Sequence, residues 1–72
     1  LNDYFTIDGI EDYPNNELSV YNRWGNMVYS AKAYNNNWDG SWNGKLLPDG
    51  TYYYILKDGE GESYNGYLQI SR

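Results

Sequence analysis

The chain has no histidine and no cysteine, so proton transfer and nucleophilic attack would fall to carboxylates, tyrosines and hydroxyls alone. Asp39 and Asp49 are the most suggestive pair, because two carboxylates flanking a glycosidic bond can hydrolyse it. Each precedes a glycine, however, and Asp-Gly is foremost a turn former. Both read as turn residues, and no enzyme activity is expected. Asp3, Asp8, Asp39, Asp49 and Asp58, with loop carbonyls, offer the hard oxygen ligands that calcium prefers. Neither Asp8-Gly9 nor Glu11-Asp12 carries the alternating ligand pattern of an EF-hand loop. Solvated turns explain these acids better, and no cofactor or metal is expected.

Binding chemistry has more to draw on. Trp24, Trp38 and Trp42, with exposed tyrosines, could form a platform for sugar rings, which makes a carbohydrate-binding or adhesive module the alternative reading of the domain. A small domain needs its aromatic rings for packing first. Trp24 and Trp38 therefore read as plugs at turn or strand edges, and Trp42, between Ser41 and Asn43, as exposed. Arg23 is a cation in a chain with few of them; stacking on a ring or pairing with a turn carboxylate is its expected role.

These residues must be positioned by a thin scaffold. A chain of 72 residues makes one domain and buries only about 60 % of the surface it exposes when unfolded. Ten tyrosines, three tryptophans and one phenylalanine carry the packing that disulfides or zinc supply elsewhere. Ten acidic against five basic residues give a net charge of −5, which repels phosphate backbones and anionic membranes, so nucleic acid is not an expected partner. The longest apolar or aromatic run, Tyr52 to Leu56, is far short of the ~20 residues that span a bilayer, so no transmembrane segment is expected. No signal peptide is visible at the N-terminus; any export signal lies upstream or is this domain itself.

Gly, Asn, Asp or Pro interrupts nearly every window before a helical repeat can form. Strands fit better, at about Tyr4 to Ile7, Glu17 to Arg23, Met27 to Ser30, Thr51 to Lys57 and Ser63 to Ser71, with a short one around Trp38. Alternation puts Leu18 and Val20 on the core face of one strand, and Leu68 and Ile70 on that of another. The Thr51 strand is apolar on both faces and should be central. Trp24-Gly25-Asn26 and the Asp58 to Glu62 loop should close hairpins. Six of the eight glycines follow Asn or Asp, as tight turns demand. Gly66 lies instead within a strand, where a bulge or close packing under an aromatic ring is expected. The sum is an all-β domain, a small immunoglobulin-like antiparallel β-sandwich.

Asn22-Arg23-Trp24-Gly25-Asn26-Met27-Val28-Tyr29, then Trp38-Asp39-Gly40 and Leu47-Pro48-Asp49-Gly50-Thr51-Tyr52-Tyr53-Tyr54, together resemble a known family. It is the gliding motility-associated C-terminal domain, or type B sorting domain, of type IX secretion in the Bacteroidetes. Asn2-Asp3-Tyr4-Phe5 matches the family's opening, and Gly66-Tyr67-Leu68-Gln69-Ile70-Ser71-Arg72 its ending. Trp-Asp-Gly before a Pro-X-Gly-X-Tyr strand also occurs in other bacterial immunoglobulin-like modules; the Asn-Arg-Trp-Gly turn is the discriminating part. Only Leu1 remains of the family's usual lead-in. The expectation is a single C-terminal sorting domain over residues 1–72 that lacks this lead-in.

The resemblance implies a non-catalytic signal that directs a large upstream passenger through the outer-membrane type IX translocon and helps retain it at the cell surface. A secreted or surface location and a monomeric state are expected, with the translocon or its associated components as partner. Recognition could use an edge strand, by β-augmentation, or a docked surface of turns. The turn surface is favoured, with Asn22, Arg23, Trp24, Gly25, Trp38, Asp39 and Gly40 as its candidate residues.

Overall fold

The computed structural model describes residues 4–71. The expectations that fall on Leu1, Asn2, Asp3 and Arg72 lie outside the described residues. The domain is all-β with one short 3-10 turn, Ile10–Asp12, and no α-helix among the described residues. We number the strands β1 (Glu17–Tyr21), β2 (Met27–Lys32), β3 (Ser41–Trp42), β4 (Lys45–Leu46), β5 (Gly50–Lys57) and β6 (Ser63–Ile70). Four of them form an antiparallel sheet in the order β2-β1-β5-β6, and β3 and β4 form a separate two-stranded ribbon.

β5 is internal, between β1 and β6, as its apolar character on both faces implies. Its inner face carries Tyr52, Tyr54 and Leu56. Cross-strand partners share a face, so Leu18 and Val20 of β1, paired with Leu56 and Tyr54, lie on the same side. On β6, Leu68 and Ile70 complete it. All but Tyr54 are buried. Burying each Leu, Ile or Val side chain contributes about 1.5–3 kcal/mol, which makes this face the main source of stability.

Gly66 pairs opposite Tyr54 in an unbroken β5–β6 register. A Cβ there would come within 2.9 Å of the Tyr54 hydroxyl, so this glycine makes room for a ring and not for a bulge. The bulge falls between β1 and β2, where Val20 pairs with Tyr29 but Tyr21 pairs with Met27. Val28 is the extra residue, and the ladder is re-aimed there.

The layer covering the inner face is mostly irregular. Ile10, Tyr34 and Trp38 are buried in the core, with Phe5, Ile7 and Leu47 packed against it. Two expectations change here. The strand expected over Tyr4 to Ile7 is reduced to a single bridge between Phe5 and Trp38, because the Ile7 amide donates instead to Asn36 Oδ1 at 2.7 Å and Asp8-Gly9 then turns the chain. The strand expected around Trp38 is the other half of that bridge. β1 also ends at Tyr21, two residues early, because Asn22 leaves the ladder to build a turn.

Two polar residues are buried, one fastening this layer and the other a loop of the sheet. Asn16 accepts at Oδ1 from the Tyr34 amide at 2.8 Å, while its Nδ2 donates to the carbonyls of Tyr13 at 2.8 Å and Tyr34 at 3.2 Å. It mimics a strand's hydrogen bonding where no strand runs. Asp58 accepts at Oδ1 from the Glu60 and Glu62 amides, closing the β5–β6 loop. Among the described residues, no buried side-chain polar atom lacks a partner, as expected when each orphaned group would cost about 1–3 kcal/mol.

Candidate functional site

The β1–β2 connection is built by one side chain. Asn22 Oδ1 accepts from the amides of both Trp24 and Asn26 at 3.0 Å. Its own amide donates to the Asn26 carbonyl at 2.9 Å, and its carbonyl accepts from the Gly25 amide at 3.0 Å. An Asx turn of this kind suits asparagine, whose short amide reaches its own backbone. Gly25 has φ 84°, a left-handed conformation that glycine adopts without steric cost. Asn22 and Gly25 thus fix the turn, and Arg23 and Trp24 are what it displays.

The display is open. Trp24 is 70 % exposed, and the expectation that it plugs the core is wrong. With the Asn22 side chain folded inward onto the turn's amides, the indole projects outward. Arg23 covers it, the guanidinium carbon lying 4.3 Å from the ring centroid. This stacking is the role expected of Arg23 and contributes about 0.5–1 kcal/mol at an exposed site.

Trp38, Asp39 and Gly40 have the opposite setting. The Trp38 indole is 2 % exposed and stacks on Tyr29 at 4.8 Å. Its Nε1 donates to the Ser41 carbonyl at 2.7 Å, its amide to the Tyr34 hydroxyl at 3.1 Å, and its carbonyl accepts from the Phe5 amide at 2.9 Å. The Tyr34 hydroxyl also donates to the Phe5 carbonyl. Asp39 Oδ1 accepts from the Ser41 amide and hydroxyl, a second Asx turn. Gly40 is buried with φ 89°, and its carbonyl accepts from the Leu47 amide. Trp38 is the plug expected of it. Trp42 is partly exposed and meets Tyr29 edge-on at 5.7 Å.

Burial pushes the Tyr34 phenol up to about 12, opposed by the hydrogen bond from the Trp38 amide and reinforced by the nearby Tyr29. Burial, and then the Asp39 carboxylate, raise the Tyr29 phenol. Both phenols stay neutral near pH 7 and act as packing and hydrogen-bonding groups.

The turn displaying Trp24 shares a groove not with Trp38 but with the segment before β5. A shallow groove of about 290 Å³ has Asn22, Arg23 and Trp24 on one wall and Leu47, Pro48 and Asp49 on the other, with Val28 and Tyr52 also lining it. The Tyr52 hydroxyl donates to the Pro48 carbonyl at 2.8 Å, tying the second wall to the central strand. In the sequence Asn22, Arg23 and Trp24 of the first wall stand out as candidate site residues, whereas Leu47 to Gly50 stands out only as a turn leading into the Thr51 strand. The residue that could have linked them is Tyr52, four positions past Pro48 on the strand that follows.

Among the described residues, no group of three or more Asp or Glu is placed to hold a metal ion, and no helix is long and apolar enough to cross a membrane. The fold is a small all-β domain that displays an exposed turn braced by the Asn22 side chain. The chain belongs to the CHU_C type IX secretion signal domain family, whose match covers residues 1–70. It is therefore a non-catalytic domain that directs secretion, and cargo bearing it crosses the outer membrane to be released or held at the cell surface. No curated protein and no solved structure matches the chain.

Proposed function

We propose that the secretion machinery reads this domain through the groove between the Asn22–Gly25 turn and the Leu47–Thr51 segment, with Trp24 as the anchor and Arg23 beside it. The observation that carries this reading is the 70 % exposure of Trp24 on a turn that the Asn22 side chain holds in one conformation. An exposed indole contributes little to folding, whereas Trp and Arg are the residue types most often decisive at interfaces. A pre-organised turn also spares the ordering cost of binding. Trp38, Asp39 and Gly40 complete the surface from behind, as the support on which it rests.

In this reading the domain is a single signal unit, monomeric, carried at the C-terminal end of a larger passenger. Its partner is the outer-membrane type IX translocon or a component associated with it, and the passenger is retained at the surface. We read the four-stranded sheet, with the irregular layer over its core face and the β3–β4 ribbon beside β2, as a small immunoglobulin-like sandwich. Support comes from the antiparallel order and from a core set between the sheet and the covering layer.

Arg23→Ala in a reporter fused ahead of the domain tests the reading. Loss of secretion with an unchanged melting temperature supports recognition by the turn. Secretion that fails only in proportion to lost folding overturns it.

A further inference from the structure

The outer face of the four-stranded sheet, opposite the core, carries a row of tyrosines apart from the Trp24 turn. Tyr21 of β1 pairs with Tyr53 of β5, and Tyr53 pairs with Tyr67 of β6. The three rings run in a row across three strands, with centroids 5.6 Å and 6.0 Å apart. Tyr67 is 78 % exposed. The adjoining row is Ser30, Ser19, Ile55 and Asn65, and on the other side Thr51 Oγ1 donates to Gln69 Oε1 at 2.8 Å. The chain holds ten acidic residues, yet these three rows contain none. The acid on this face, Glu17, sits a row further on between Lys32 and Lys57.

We propose that this tyrosine row is a binding site for a neutral glycan chain. Three adjoining phenol rings in register, flanked by hydroxyl and amide side chains with no carboxylate among them, match a ligand that presents C–H faces between hydroxyl edges. The ring faces carry the negative side of the aromatic quadrupole and attract the weakly positive C–H groups of a pyranose. The amides and hydroxyls of Asn65, Gln69 and Thr51 satisfy the sugar hydroxyls, and the absence of acid spares the desolvation of a charge. Aliphatic surface is confined to Ile55 and to Met27 of β2, which pairs with Tyr21 at the edge of the row, so most of what the face offers is aromatic ring, hydroxyl or amide. The row ends at a depression of about 450 Å³ where Arg23, Asn22 and Gly25 meet Thr51, Tyr53 and Tyr67, so a bound chain would lie beside the Trp24 turn without needing its indole.

Cross-strand aromatic pairs also stabilise sheets, by about 0.2–1 kcal/mol each, and the test separates the two roles. The purified domain is titrated calorimetrically with cellohexaose, xylohexaose, mannohexaose and laminarihexaose, and its amide shifts are followed by NMR. We expect saturable binding of at least one oligosaccharide, with Kd near or below about 1 mM and shifts centred on Tyr53 and Tyr67. Tyr67→Ala, chosen because that ring is mostly exposed, should weaken binding about tenfold or more while the melting temperature barely moves. Trp24→Ala should leave binding unchanged, which separates this site from the recognition groove. Absence of saturable binding to all four sugars overturns the proposal, as does binding that survives Tyr67→Ala. Self-association abolished by Tyr67→Ala, without sugar binding, overturns it too and makes the face a contact between copies.

Discussion

Trp24 and Trp38 both stand beside glycine-containing turns that an Asx side chain closes, yet one is 70 % exposed and the other 2 %. The difference lies in where the chain goes next. After Trp24 it returns at once as β2, so nothing crosses the indole except Arg23. Trp38 is bridged to Phe5 on one side and stacked on Tyr29 on the other, at the seam where the irregular layer meets the sheet. Two turns of similar composition therefore place their indoles differently: one buries its ring in the core, and the other leaves it in solvent, where we propose that a partner reads it.

The buried tryptophan is the more sensitive of the two. Trp38→Ala removes a core indole and should cost about 3–5 kcal/mol, comparable to the whole stability of a domain this small. Chemical denaturation should find it largely unfolded. A variant that keeps its stability would remove the contrast between the turns.

Tyr34→Phe probes the same seam more gently. It strips the hydroxyl that donates to the Phe5 carbonyl and accepts from the Trp38 amide, leaving buried groups unpaired at a cost of about 1–3 kcal/mol. The same hydroxyl predicts a pH response. Its folded-state pKa of about 12 lies above the unfolded value near 10. The neutral phenol is thus favoured by folding, and its contribution is whole below pH 10 and lost as pH rises through 12. Stability should fall over that window, and the fall should flatten in Tyr34→Phe, which starts less stable but has no phenol there to titrate.

Asn22→Ala sharpens the exposed side of the comparison. The amides of Trp24 and Asn26 lose their acceptor, but water reaches them, so the stability loss should be near 1 kcal/mol. Secretion should fall further than that loss accounts for, because Trp24 is no longer held in one place. Equal secretion at equal stability would mean that the turn's order is irrelevant to recognition.

Much of the scaffold is legible in the sequence. β5 is identifiable as central because Tyr52, Tyr54 and Leu56 alternate with Tyr53 and Ile55, leaving neither face polar. Leu18, Val20, Leu68 and Ile70 follow from simple alternation, and Gly66 from its misfit in a strand. The covering layer is not legible, because polar side chains hold it in place of a periodic backbone ladder. Asn16 and Tyr34 bond to loop carbonyls and amides far along the chain, and no local pattern announces such partners. The candidate turn is legible as a motif, Asn22 to Gly25, but the exposure of Trp24 is not. A tryptophan in a chain with a thin core is expected inside, and Trp24 stays out because the chain returns at once as β2 and leaves no layer to cover it. The second wall of the groove, Leu47 to Asp49, escapes for a related reason: turn signals describe how a segment bends, not what it faces.

Recognition by Trp24 is tested by Trp24→Ala, read twice: as secretion of an upstream fluorescent reporter from a bacterium with a type IX system, and as the melting temperature of the purified domain. An exposed indole removed from a rigid turn should change stability by no more than about 0.5 kcal/mol. Recognition through the exposed indole requires an essentially unchanged melting temperature with reporter retained inside the cell. Wild-type secretion by a folded Trp24→Ala domain would contradict it.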